Sequence, residues 1–388
     1  MHQPATDPRP RVLHVTQPVD GGVARVVADL TRAQLAAGLR ISVACPDSGL
    51  SESLRRLGAD VRSWHATRAP GASLAGEVSR LARLVGEVRP DLVHAHSAKA
   101  GLAGRIAVRG RIPTVFQPHA WSFEAVGGAT AALALRWERF GTRWAHRTVC
   151  VSEAERRTGL RVGIGARWAV VPNGIDTGRF RPAAHTVRTP PGTDAGPRAP
   201  LVVCVGRLCR QKGQDVLLAA WPSVVRRVPG ARLVLVGDGP DRERLRAPER
   251  VRFAGAVADP VPWYQAADLV VLPSRWEGMA LAPLEAMACG RPVVTTDVAG
   301  ARESLPPALV PHCLVPPEDP PALADAVTAL LLDPPLGESL GERGRRHVLA
   351  GHDVQHAAEA MADVYRALLG SGTAAPAAST EYRESIHS

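Results

Sequence analysis

Short apolar runs alternate with amphipathic helical segments along this chain; the alternation stops once and then starts again. The first series has strand-like runs in RVLHVT, ISVACP, DLVHAHS, PTVFQPH and RTVCVS. Between the first two lies VARVVADLTRAQLAAG, with apolar positions at helical spacing and Gly38 as its cap. Residues 181–199 are rich in Pro, Gly and Ala without periodicity and read as a linker. The second series is LVVCVGRL, a helix over 213–228, ARLVLVGDG, VRFAGAV, a helix near 261–267, LVVLPS, a helix over 281–289 and PVVTTD. Apolar runs that alternate with helices make parallel sheets covered on both faces. The expected fold is α/β, with two doubly wound Rossmann-like domains over 11–180 and 200–351. A final helix over 352–370 is expected to pack back towards the first domain. Residues 1–10 and 371–388 are polar and are expected to be disordered. A cleft between two such domains faces the C-terminal ends of both sheets, where ligands bind in open α/β folds.

The formal net charge is +10, which suits an anionic partner, but the arginines are scattered rather than blocked. Without a helix-turn-helix, an RRM-like aromatic motif or a Lys/Arg block, nucleic acid is not expected as a partner. The six cysteines show no CxxC spacing and no paired histidines complete a zinc set, so they read as thiols of a reducing cytoplasm. No apolar run reaches 18 residues, so no transmembrane helix is expected, and the first residues lack the apolar core of a secretory signal.

The densest chemical signal is ADLVVLPSRWEGMALAPLEAMACGRPVVTTDVAGARES, residues 267–304. Glu277 leaves a strand and Glu285 lies one to two turns into the next helix, so both can face one cleft. Carboxylates accept hydrogen bonds from paired hydroxyls, as in ribose and hexose. Gly278, Met279, Ala280 and Leu281 carry the first unpaired N–H groups of that helix, which suit phosphate or sugar oxygens. The plainer alternative is two surface glutamates. In VGRLCRQKGQD, Arg207 leaves a strand and Lys212 follows five residues later, so both can reach one anion. An Arg and a Lys supply the two positive charges that a departing nucleoside diphosphate needs. No DxD pair is present to hold a divalent metal, so metal-free neutralisation is expected.

Gly21 and Gly22 follow the first strand in VDGGVARV and permit close backbone approach to a ligand; the run is not the dinucleotide fingerprint GxGxxG. His119 in FQPHAW lies past a strand end, where a neutral imidazole can hydrogen-bond a sugar hydroxyl or phosphate. His14, His94 and His96 read as packing residues. Residues 133–147 place Leu133, Trp137, Phe140 and Trp144 on one helical face with Arg136, Arg139, Arg143 and Arg147 beside it. The reading favoured here is a helix that buries its aromatics on the sheet. The arginines would add attraction to an anionic bilayer of at most about 1 kcal/mol each.

Together these segments resemble the retaining glycosyltransferases of family 4, which have the GT-B fold. The resemblance runs from residue 11 to about 369 and adds VSEAERR, VPNGIDTGRF and LVLVGDGP to the pieces above. It implies that Glu285 binds the donor ribose and Glu277 the donor sugar. It places Arg207 and Lys212 at the diphosphate, and Gly22 and His119 at the donor phosphate and sugar. It also implies that the segment around 251–257 accepts the base and, by family habit, that UDP is the nucleotide. Ala280 departs from the pattern, which often has Gly there, and leaves slightly less room at the sugar. VHAHSAKAGLAGRIA with PTVFQPHAWSF resembles members that build lipid-linked surface polysaccharides. The implied partners are a nucleotide-sugar donor and a glycan or lipid-linked acceptor, with work in the cytoplasm or peripherally at the inner membrane face. No cofactor or metal is implied. A natural-product acceptor, a nucleotide-sugar epimerase or phosphorylase, and an inactive scaffold are the competing readings.

Overall fold

A computed structural model describes residues 9–184 and 199–370. Of the disorder expected over 1–10 and 371–388, residues 1–8 and 371–388 lie outside the described residues, as does most of the expected linker; Arg9 and Pro10 are instead tied to the sheet, where their carbonyls accept from Arg40 Nε at 2.9 Å and the Arg40 N–H at 3.1 Å.

The first seven strands form one parallel sheet. They are β1 Arg11–Thr16, β2 Arg40–Cys45, β3 Asp60–Ser63, β4 Leu92–His96, β5 Thr114–Gln117, β6 Arg147–Cys150 and β7 Trp168–Val170, in the spatial order β3-β2-β1-β4-β5-β6-β7. The other six form a second parallel sheet: β8 Leu201–Val205, β9 Arg232–Val236, β10 Val251–Gly255, β11 Leu269–Leu272, β12 Val293–Thr296 and β13 Leu314–Val315, in the order β10-β9-β8-β11-β12-β13. Strand order reverses between β1 and β4 in the first sheet and between β8 and β11 in the second. These are the points where a doubly wound sheet opens a crevice at its carboxyl edge.

Both faces of the first sheet are covered. Val12, Val43 and Leu92 pack under the helix Gly21–Ala36, while Leu13, Val15 and Val93 pack on the opposite face with Leu81 and Ala103. Successive residues of β1 thus enter different cores, as strand alternation requires. The second sheet carries one large core that includes Leu201, Leu233, Val270, Leu284 and Val294.

The chain's last helix, Val354–Gly370, lies on the first sheet rather than the second: Ala358, Met361 and Tyr365 join the core of Val12 and Leu30. The chain crosses between the lobes once at 171–184 and again near 352. The crossings touch, with the Ile175 N–H donating to His352 O and the Val354 N–H to Ile175 O, both at 2.9 Å. Gly174 is required there, since a Cβ would sit 2.5 Å from the Asp353 carbonyl oxygen.

The expected helix over 133–147 needs correction. The helix is Gly128–Gly141, a 3-10 turn covers Thr142–Trp144, and Arg147 opens β6. Its aromatic face is not buried on the sheet: Leu133 and Phe140 are exposed. Trp137, Phe140 and Trp144 pack on one another, and Arg143 stacks 3.8 Å from the Phe140 ring centroid. Among the described residues, no helix is long and apolar enough to cross a membrane.

Candidate active site

The loop after β8 and the loop after β11 leave adjacent strands at the second sheet's switch point. Gly213 has φ +63, and a Cβ there would lie 2.0 Å from the Pro273 carbonyl oxygen, so the two loops are pressed together. That contact carries the 3-10 turn Arg210–Lys212 to the exit of β11. Lys212 Nζ donates to Glu277 at 2.5 Å, and Ser274 Oγ donates to the same carboxylate oxygen at 2.7 Å. Arg207, at the mouth of β8, faces Arg68 of the first lobe. Burial and then the charge of Arg207 pull the Arg68 pKa below its usual value, with Asp20 opposing. Two guanidinium groups that raise each other's electrostatic cost make a local well for an anion.

Glu277 and Glu285 are not surface glutamates; they are 7% and 2% exposed. Nor are they open acceptors, as the sequence reading expected. Glu285 accepts from Tyr264 Oη at 2.7 Å and from Arg25, which reaches it from the first lobe. Burial works against the charge of Arg25, but Glu285 and Tyr264 outweigh it and hold its pKa above the usual value. Each carboxylate oxygen has two lone pairs, so a ligand hydroxyl can still share either group.

Residues 278–280 lead into the helix Leu281–Ala288, whose first-turn N–H groups have no partner within the helix. The carbonyls of this loop are held by the first lobe. Ser152 Oγ donates to Gly278 O at 3.0 Å and Asn173 Nδ2 to Met279 O at 2.7 Å. Gly278 has no room for a side chain, since a Cβ would come within 2.8 Å of the His119 carbonyl oxygen. The segments VSEAERR and VPNGIDTGRF thus acquire a physical task, which is to orient the loop that presents Met279, Ala280 and Leu281.

Gly21 and Gly22 open the helix Gly21–Ala36 rather than forming a separate loop. A Cβ on Gly22 would lie 4.0 Å from the Leu281 side chain, so the amino ends of two helices face each other across the lobes. His119 follows β5 with φ 61, a conformation that few non-glycine residues adopt. Its Nε2 shares a 3.1 Å hydrogen bond with His96 Nδ1, and burial pushes its pKa down to about 3.

Sequence reasoning assigned no role to Arg25, Arg68, Tyr264 or Glu303. Glu303 reaches across the lobes to accept from the Glu153 and Ala154 N–H groups at 2.7 Å each, capping the helix Glu153–Arg161. Arg25 stands three residues after Gly22 in GGVAR, a spacing that could have pointed to it. Arg68 lies in a loop with no local signal.

Two family profiles match in tandem. One described as Glycosyltransferase Family 4 covers residues 20–179, and one described as Glycosyl transferases group 1 covers 199–333. A GDP-mannose-dependent alpha-(1-6)-phosphatidylinositol monomannoside mannosyltransferase of Mycolicibacterium smegmatis is 34% identical over 70% of this chain and 75% of its own length. The protein of that description from Mycobacterium tuberculosis strain CDC 1551 / Oshkosh is 36% identical over 56% of this chain; there the chain spans 61% of the relative's length. In fold, the chain is similar to Anabaena Alr3699/HepE, solved with UDP and glucose. That likeness has a TM-score of 0.79 at 23% identity and covers 92% of this chain and 100% of the other.

Proposed function

The chain belongs to the family 4, group 1 glycosyltransferases, and from that premise we propose that it moves a sugar from a nucleoside diphosphate sugar to a hydroxyl acceptor. The reading includes retention of anomeric configuration and no metal. The observation that carries it is the meeting of Lys212 with Glu277 beside Arg207, at the switch point of the second sheet and in front of the helix Leu281–Ala288.

In this reading Arg207, Lys212 and the first-turn amides take the diphosphate. Glu285 takes a ribose hydroxyl, shared with Arg25, and Glu277 a hydroxyl of the sugar. The segment around β10 accepts the base. The bond between the anomeric carbon and the β-phosphate oxygen breaks while the acceptor oxygen bonds that carbon on the same face. The acceptor proton passes to the departing phosphate oxygen. Stabilising the charge on that phosphate is the main task of Arg207 and Lys212.

A lipid-linked glycan acceptor at the inner face of the membrane is supported by the names of the mannosyltransferase relatives and by the exposed Leu133 and Phe140 beside Arg136, Arg139 and Arg143. The relatives' names carry GDP-mannose, so the UDP preference expected from the sequence is one arm of the test. The experiment incubates the full chain with UDP- and GDP-sugars and with lipid-linked or soluble acceptors, with and without chelator. Acceptor-dependent release of nucleoside diphosphate, an unchanged rate in chelator and an α-linked product from an α-linked donor are expected. Turnover that vanishes with chelator and returns with manganese would end the metal-free reading. A product of inverted configuration would end the retaining one.

A further inference from the structure

Four histidines of the first lobe form a directed chain. His14 and His94 are register partners on β1 and β4, and His96 lies two residues beyond His94. All three are fully buried. His14 Nε2 meets Gln34 Oε1 at 2.7 Å, and His14 Nδ1 meets His96 Nε2 at 2.9 Å. His96 Nδ1 continues to His119 Nε2 at 3.1 Å. At the other end, Gln34 Nε2 donates to Tyr365 Oη at 3.3 Å, and Tyr365 Oη meets His94 Nδ1 at 2.7 Å.

The three strand imidazoles lie close enough to share an ion. Yet every ring nitrogen among them except His94 Nε2 already has a protein partner, so the arrangement is a relay and not a vacant cation site. Burial keeps the rings neutral: His14 is pushed down to about 4, and His94 and His96 well below the usual value. A neutral imidazole donates through one nitrogen and accepts through the other.

The direction follows from the ends. Gln117 lies against His94 and offsets part of the burial cost of its charge. Gln117 Oε1 and His94 Nε2 are both buried without a hydrogen-bond partner among the described residues. With the Gln34 amide N–H donating to Tyr365 Oη, the tyrosine hydroxyl is left to donate to His94 Nδ1, which places the His94 proton on Nε2. The Tyr365 oxygen then accepts from the Gln34 amide, which turns Gln34 Oε1 to His14. His14 must donate through Nε2 and accept through Nδ1. His96 and His119 repeat that pattern, and His119 is left with an unprotonated Nδ1 that no protein group engages among the described residues.

We propose that the hydroxyl of Tyr365, on the C-terminal helix, sets the tautomer of His119 through Gln34, His14 and His96, so that His119 presents an accepting Nδ1 to a hydroxyl of the donor sugar. This rests on the reading that His119 faces the donor. Tyr365 is a positioning residue in this scheme, since it touches no substrate. Without its hydroxyl the Gln34 amide is free to turn over, and each imidazole downstream can reverse with it.

The test is two-bond 1H–15N correlation on the full chain labelled with 15N-histidine, for the native protein and Tyr365→Phe. His119 is expected as the Nε2–H tautomer in the native protein and as a mixture or the Nδ1–H form in the variant. The donor KM should rise about threefold to tenfold in the variant, as for one lost hydrogen bond. An Nδ1–H form of His119 in the native protein overturns the proposal, and that reading needs no variant to fold. So does an unchanged His119 tautomer in Tyr365→Phe. A tautomer shift in a chain that transfers no sugar would sink the proposed function and leave the relay standing.

Discussion

Arg25 in the first lobe donates to the carboxylate of Glu285 in the second, so a charge pair bridges the cleft where a nucleotide is proposed to sit. Removing one partner leaves the other buried and unpaired. The Arg25 side chain is 29% exposed, which moderates the cost. Arg25→Ala should lower stability by about 1–3 kcal/mol and weaken donor binding. Thermal melting and a donor titration read both; a variant that matches the native protein in each would remove the pair from the mechanism.

Lys212→Ala should cut turnover about a hundredfold or more, because a cation at the leaving phosphate acts mainly in the transition state. Lys212→Arg should recover part of the loss. Steady-state kinetics decides this, with melting as a control, since Lys212 also balances Glu277. Near-normal turnover in Lys212→Ala would refute the assignment.

Two glycines should respond differently to alanine. At Gly278 a Cβ would lie 2.8 Å from both the His119 carbonyl oxygen and Val151 Cγ2, while at Gly22 the nearest neighbour is Leu281 at 4.0 Å. Gly278→Ala should cost about 1–3 kcal/mol through overpacking. Gly22→Ala should melt like the native chain yet bind nucleotide more weakly, because the methyl enters the space proposed for phosphate. Equal melting temperatures for the two variants would contradict the packing described.

The histidine relay makes stability depend on pH. His14, His94, His96 and His119 have folded pKa values below the unfolded value, so the unfolded chain binds more protons. Stability is therefore full above about pH 6.5 and is lost as pH falls below it, at about 1.4 kcal/mol per pH unit for each ring. Glu155, raised by burial to about 8, works in the opposite sense over the same window. From these four rings and Glu155 the net loss between pH 6.5 and 5 should be about 4 kcal/mol per pH unit. Urea midpoints at several pH values measure it, and a flat profile would mean that the rings are solvated or already charged.

The long buried strands were legible because runs such as RVLHVT and LVVLPS admit few other readings. The strand Asp60–Ser63 was missed because it is four residues long, half exposed and charged, as edge strands often are. Strands β7 and β13 have three and two residues and carry no pattern of their own. At the site, Glu277, Glu285, Arg207 and Lys212 stood out by spacing within one lobe. What joins the lobes did not, because Arg25–Glu285 and Ser152–Gly278 pair residues more than a hundred positions apart. His14 on β1 and the His94 and His96 pair on β4 looked like packing residues since the two strands are far apart in the sequence. Only the register of β1 on β4 gathers them.

Tyr365 and Met361, near the end of the described chain, complete the hydrophobic core begun by Val12. During vectorial synthesis the core between the first sheet and the helix Gly21–Ala36 therefore stays incomplete until Val354–Gly370 leaves the ribosome. The two lobes cannot be separated by cutting between residues 184 and 199, because the piece that remains would lack its own lid. A fragment that joins 354–370 ahead of residue 9 would restore the lobe as one continuous segment.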